Sequence, residues 1–349
     1  MTMPATDDIL GTTLGKYRVE RVLGRGSMGT VYYGTDAETQ AAVAIKTMAR
    51  ENTDDQEMLQ RFKREARVAS QINHPNVAHV FESGQFEGMP YLVMEYVDGQ
   101  SLAEVIKRKT QLAAELATEF VRQAALGLKA ASEQSCIHRD IKPANLMVTR
   151  KGEIKVVDFG IAKNDGGDEL RTAVGVVLGS PYYMSPEQSA AKPLDHRSDI
   201  YGLGATFYYL ITGKPPFEGR NLMDVIQKRA RNELVPIISL NPNVSTRVCD
   251  IVYKMMRPDP GQRYQTYDEL IVAITAVKSA PKSQPVAPIK SPASAAVASK
   301  TPLPTRTPLP TTPKSSWLEN ESVRRGLLIG GGVLILVAIG LIVYQIMSM

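Results

Sequence analysis

Two polar motifs flank a pair of short apolar strands at a fixed offset, and no other feature limits the fold of this chain as strongly. The first is Ile137-His138-Arg139-Asp140-Ile141-Lys142-Pro143-Ala144-Asn145. The second is Lys155-Val156-Val157-Asp158-Phe159-Gly160, which puts Asp158 thirteen residues after Asn145. The apolar runs Leu146-Met147-Val148 and Ile154-Lys155-Val156-Val157 read as two strands. They give two carboxylates, an ammonium and an amide a common rigid support.

That set of groups suits movement of a phosphoryl group. Such a transfer has a loose transition state with charge spread over the phosphate oxygens, so a protein must supply metal ligands, positive charge and a placed base. Asp158 and Asn145 offer hard oxygens of the kind Mg²⁺ takes beside substrate phosphates. Asp140 is placed to accept a hydroxyl proton, and Lys142 to steady the phosphate in transit.

The upstream sequence supplies what holds the phosphate donor. Tyr17 to Leu23 alternates as a strand and enters Gly24-Arg25-Gly26-Ser27-Met28-Gly29. Glycines at these offsets let backbone amides approach phosphate oxygens. A dinucleotide-binding turn would lead straight into a helix. Here the β-branched and aromatic run Thr30-Val31-Tyr32-Tyr33 follows, which predicts a second strand and a hairpin lid. Another strand, Ala42-Val43-Ala44-Ile45-Lys46, places a lysine seventeen residues after Gly29.

The wording H-R-D-x-K-P-x-N followed by D-F-G, with the glycine loop and Lys46 ahead of it, resembles the protein kinases. Lys142-Pro143 resembles the serine/threonine branch. The resemblance spans about Tyr17 to Val277 and implies an α+β, two-lobed protein-kinase fold: a small antiparallel β lobe with one key helix, then a large mainly α lobe. It implies ATP with Mg²⁺, or Mn²⁺ in its place. By the same resemblance Asp140 is the base, Lys142 the phosphate stabiliser, and Asn145 and Asp158 the metal ligands. Leu23 and the Gly24 to Gly29 loop form the lid, and Lys46 holds the α/β-phosphates.

Further roles follow by resemblance. Asp54 to Ile72 has apolar residues at helical spacing, and Glu65 there is the expected partner of Lys46, with Glu57 as its competitor. Strands are expected over Val77 to Phe81 and Tyr91 to Glu95. The second leads into a hinge whose Glu95 and Val97 backbone would bond adenine, with Val31, Ala44 and Met147 on its faces. Leu116 to Glu133 and Ser198 to Ile211 read as helices. Asp199, a charge in an apolar run, needs a partner, which the resemblance places in the backbone of the catalytic loop.

Between Asp158 and Ser185-Pro186-Glu187 lies an expected activation loop containing Thr172, Ser180, Tyr182 and Tyr183. Thr172 is the first choice for a phosphorylated residue, and Arg139 its counter-cation. Ser185 and Ser180 depart from the commonest family wording but stay small. Glu187 is expected to pair with Arg263. The long loop with Gly179-Ser180-Pro181 speaks against a small-molecule kinase, and the presence of Lys46, Asp140, Asn145 and Asp158 against a pseudokinase scaffold that binds nucleotide without transfer. Protein Ser/Thr hydroxyls are the expected substrates.

Charge separates the tail from the rest. The net charge is +5, and from residue 279 onward seven Lys/Arg face two Asp/Glu, so residues 1–278 sum to zero. That argues against nucleic acid as partner and for attraction of the tail to an anionic surface. Residues 1–16 read as an N-terminal extension without a secretory signal, and 17–278 as the kinase domain, its lobes meeting near 96 and 97. Cys136 and Cys249 read as reduced thiols.

Residues 279–325 are rich in Pro, Ser, Thr, Ala and Lys and read as a disordered linker. Residues 326–347, followed only by 348–349, are uncharged and long enough at ~1.5 Å per residue to cross a ~30 Å hydrocarbon core. Arg324-Arg325 ahead of them place the amino-terminal side in the cytoplasm. The expectation is a tail-anchored, single-pass protein of the cell membrane, resembling the bacterial eukaryotic-like (Hanks-type) kinases. Gly326-x-x-x-Gly330 offers a face for a homodimer.

Overall fold

The computed structural model describes residues 9–26, 29–48, 56–159 and 182–278; the side chains of 56–58, 61 and 65 in the first helix and of 278 in the last are not described. The expected linker, membrane span, glycine pair, Thr172 and Ser180, together with Ser27 and Met28 at the tip of the glycine loop, lie outside these residues. Among the described residues no helix is long and apolar enough to cross a membrane.

Six antiparallel strands open the chain: β1 Thr13–Leu14, β2 Tyr17–Gly26, β3 Gly29–Asp36, β4 Ala42–Thr47, β5 Val80–Phe86 and β6 Met89–Glu95. They are ordered β1-β2-β3-β4-β6-β5. Side chains alternate across a strand, and both faces are used. Val19, Tyr32, Val43, Ile45 and Val93 pack on one face with Ile9 and Leu14. Ala44, Leu92 and Met94 belong to the other core, with Phe62, Ala66 and Ala69 of helix α1, Gln56–Ala69. The sheet thus takes in residues ahead of Tyr17, whose scattered apolar positions show no period in the sequence.

One expected strand starts late. Val77 is not in β5 but forms a parallel bridge with Val156. The backbone there is already bonded elsewhere: Ala78 N donates to Val156 O at 2.9 Å, and Val156 N to Asn76 O at 2.8 Å.

Past Glu95 the chain is mainly helical. Strand β7, Gly99–Ser101, pairs with the hairpin β8 Leu146–Thr149 and β9 Ile154–Val156. Helix α2, Leu102–Lys109, starts with a capping box between Ser101 and Glu104, which satisfies two otherwise unpaired amides. Helix α3, Ala114–Glu133, precedes the catalytic motif, and a 3₁₀ turn covers Pro143–Asn145.

Helices Pro186–Ser189, His196–Thr212, Leu222–Ala230, Ile237–Leu240, Thr246–Met255 and Tyr267–Lys278 complete this part. His196–Thr212 is buried on every side from Ser198 to Tyr208, as its apolar sequence requires. Gly202 lets it lie close under the catalytic motif, since a Cβ there would stand 3.1 Å from Ile141 O. Gly213, at φ +72°, ends it in the left-handed conformation, where a Cβ would come within 2.5 Å of Thr110 O.

The expected Glu187 and Arg263 pair is present. Arg263 Nη1 and Nη2 bond Glu187 Oε1 and Oε2 at 2.6 and 2.8 Å, and Ser198 Oγ donates to Oε1 at 2.7 Å. Burial alone would raise the Glu187 carboxyl, but Arg263 and Ser198 outweigh it and hold the group below its ordinary value. This stabilisation is therefore present above pH 4.5 and lost as pH falls below it. Replacing Arg263 with Met leaves a buried carboxylate uncompensated. Urea unfolding at neutral pH is expected to show a loss of about 3–5 kcal/mol.

Candidate active site

The catalytic motif is held from below by one carboxylate. Asp199, in the first turn of His196–Thr212, accepts the backbone N–H of His138 at 2.7 Å and of Arg139 at 2.8 Å. This is the backbone partner expected for it. Burial pushes its pKa up to about 7, against the pull of those two amides and of the Arg139 charge. Arg139 itself has φ +65°, an αL conformation that side-chain-bearing residues rarely adopt.

His138 ties the two motifs together. Its Nδ1 accepts the Asp140 N–H at 3.2 Å, so the proton resides on Nε2, which donates to Val157 O at 3.0 Å. Its ring lies 4.8 Å from that of Phe159. Asn145 O accepts Val157 N at 3.0 Å, a second link between the loop and the strand ending at Asp158.

The structure brings Asp140, Lys142 and Asn145 to one point. Asp140 Oδ2 lies 2.8 Å from Lys142 Nζ and accepts Asn145 Nδ2 at 3.1 Å. Asn145 Nδ2 also donates to Asp140 O at 2.9 Å. With its nitrogen so used, the Asn145 amide turns its oxygen to other ligands. Asp158, at φ +63°, sits past the end of β9 and pairs with the ammonium of buried Lys46 from β4.

Glu65 falls on helix α1 as expected, but its side chain and that of Glu57 lie outside the described residues, and so does their contest for Lys46. The described partner of Lys46 is Asp158.

The glycine loop is a β2–β3 hairpin closing at Gly26 and Gly29. Among the described residues a Cβ at Gly24 would meet nothing within 4 Å, and one at Gly26 only Gly29 O at 3.9 Å. Packing among the described residues therefore does not require a glycine at 24 or 26. Arg25 and Leu23 beside them are exposed. Val31 on β3 packs against the core that holds Ala44, while Met147 is half-buried on β8. Glu95 ends β6, and Val97 two residues on is buried.

The donor set fits Mg²⁺. Among the described residues no group of three His, Cys, Asp or Glu side chains can hold a metal. A carboxylate and an amide oxygen suit an ion that keeps its waters and binds substrate phosphates.

Protein kinase domain models match residues 17–273, the span that carries all of these groups. The chain belongs to the protein kinase domain family. Among its kinase relatives are the serine/threonine-protein kinase PrkC of Bacillus subtilis, 36% identical over 256 residues, and PknB of Mycobacterium tuberculosis, 34% identical over 261 residues. Each alignment covers 73% of this chain, but 39% of PrkC and 42% of PknB, so the chain matches about two fifths of these relatives' length. The crystal structure of the Mycobacterium tuberculosis PknI kinase domain is similar at a TM-score of 0.62 and 26% identity, covering 79% of this chain and 99% of that one.

Two contributions escaped the motif reading. Gln188 accepts Ser185 N at 2.9 Å and donates to Arg139 O at 2.7 Å, fastening the kinase loop to the Pro186–Ser189 helix. The pattern Ser185-Pro186-Glu187-Gln188 is a capping box and was the available signal. The carboxylate of Glu95, whose backbone alone was singled out, bonds Lys155, and nothing local in the sequence points to that.

Asp199→Asn keeps the shape but turns one N–H donor against another, and kcat is expected to fall about tenfold or more. The raised pKa also has a sign. Asp199 keeps its proton below about pH 7, so stability from this group declines as pH rises from 3.8 to 7, while the anchoring carboxylate exists only above it. The parent's kcat should therefore decline as pH falls through 7, and the variant's residual rate should not.

Proposed function

We propose that this chain is a serine/threonine protein kinase that moves the γ-phosphate of ATP to protein hydroxyls. The observation that carries the reading is the sharing of Asp140 Oδ2 by Lys142 and Asn145 above the Asp199 anchor. An acceptor carboxylate with an ammonium and an amide N–H on one of its oxygens, all three side chains on one short loop, has little structural purpose there.

The substrate hydroxyl gives its proton to Asp140 as its oxygen bonds phosphorus, and the bond from phosphorus to the departing ADP oxygen breaks. Lys142 follows the charge on the transferring group, and Lys46 holds the α/β-phosphates under the Gly24 to Gly29 lid. Asp158 and Asn145 would hold Mg²⁺, which would supply positive charge against the phosphates. The 95–97 backbone binds the adenine edge, with Val31, Ala44 and Met147 at its faces.

Phosphorylation of Thr172, with Arg139 as counter-cation, is the proposed switch. Residues 326–347 are proposed as a single membrane span with the kinase domain in the cytoplasm, supported by their lack of charge and by Arg324-Arg325 ahead of them. The Gly326-x-x-x-Gly330 face would pair two copies and bring their loops together.

Incubation of the purified chain with ATP and Mg²⁺ is expected to place phosphate on Thr172, detected by mass spectrometry. Asp140→Asn should lower the rate by about 10²–10⁴-fold while nucleotide binding persists. Absence of phosphate from every Ser and Thr of the parent and from a generic protein substrate, despite bound nucleotide, would refute the assignment.

A further inference from the structure

Glu95 and Lys155 are sixty positions apart and meet where the two lobes join. Lys155 Nζ lies 2.7 Å from Glu95 Oε1 and 2.9 Å from Oε2. The same carboxylate accepts the His79 N–H at 3.2 Å, and Glu95 N donates to His79 O at 2.8 Å. Three segments distant in sequence thus converge on one side chain. Exposed ion pairs contribute little, because water screens them and long side chains lose freedom. Here the side chains keep only 15% and 31% exposure, and a backbone amide shares the carboxylate.

The position of each partner gives the pair its use. Glu95 ends β6 at the hinge. Lys155 lies on β9 opposite Met147 of β8, three residues ahead of Asp158. Its neighbour Val156 is bonded on both sides to the 76–78 segment, so β9 is also tied to the small lobe through its backbone. Ile154 and Val156 point into the core, and alternation leaves Lys155 on the other face, where a lysine would ordinarily be solvated. Its ammonium turns to Glu95 instead.

We propose that the Glu95–Lys155 pair is a positioning device that sets the adenine-binding hinge at a fixed distance from the metal ligand Asp158. ATP spans these two points, so a slack joint weakens nucleotide binding before it affects the transfer step. The proposal rests on the reading of residues 95–97 as the adenine edge.

Steady-state kinetics of the full chain on a generic protein substrate tests it, with adenosine as a competing probe of the hinge alone. In Lys155→Met the KM for ATP and the inhibition constant of adenosine should both rise about fivefold, with kcat little changed. Lys155→Arg should resemble the parent, and Glu95→Gln, which keeps an acceptor for the His79 N–H, should repeat the loss. Unchanged KM and adenosine inhibition in Lys155→Met, or a loss in Lys155→Arg as large as in Lys155→Met, would overturn the proposal. If Lys155→Met does not fold, Glu95→Gln and Lys155→Arg carry the same comparison. Val97→Pro, which removes the hinge N–H, separates the two readings. Weaker adenosine inhibition there but not in Lys155→Met defeats the pair alone, while unchanged inhibition in Val97→Pro defeats the hinge assignment beneath it.

Discussion

The geometry of this protein kinase domain depends on two hydrogen bonds from the backbone of His138 and Arg139 to the buried carboxylate of Asp199. They hold Arg139 in a left-handed conformation that local sterics disfavour. From that bend Asp140 projects to meet Lys142 and Asn145, and His138 reaches Val157 just ahead of Asp158. An ionised carboxylate is costly in such a place, and each of its two oxygens accepts one backbone amide, which offsets part of that cost.

The same helical turn anchors the large lobe a second time. Ser198, beside Asp199, bonds the carboxylate that Arg263 grips from two sides, and Arg263 also donates to Arg197 O at 2.8 Å. Gln188, on the helix that carries Glu187, returns to Arg139 O. The His138–Asn145 loop is therefore held through its backbone from two directions, which leaves the side chains of Asp140 and Lys142 to the role proposed for them. A rigid frame under a polar cluster is what electrostatic catalysis requires, since donors and acceptors then need no reorganisation as charge develops.

How much of this could be seen in the sequence varies with the range of the interaction. The meeting of Asp140, Lys142 and Asn145 was legible because all three lie within one short motif. Asp199 was legible from local contrast, being a charge in an apolar run. Glu187 and Arg263 came from the family resemblance alone. The bond from Gln188 to Arg139 and the Glu95–Lys155 pair were not legible, because these partners lie 49 and 60 positions apart. The strand boundary at Val80 was missed for a related reason: the backbone of 76–78 is engaged by Val156, and side-chain alternation cannot report that. The contributions of Glu65, Thr172 and the tail fall outside the described residues.

Amide hydrogen exchange at His138 and Arg139, compared between the parent and Asp199→Asn, reads this anchor itself. Both amides should be strongly protected in the parent and selectively exposed in the variant, with the rest of the His196–Thr212 helix unchanged. Equal protection in the two proteins would mean that something other than Asp199 holds the loop.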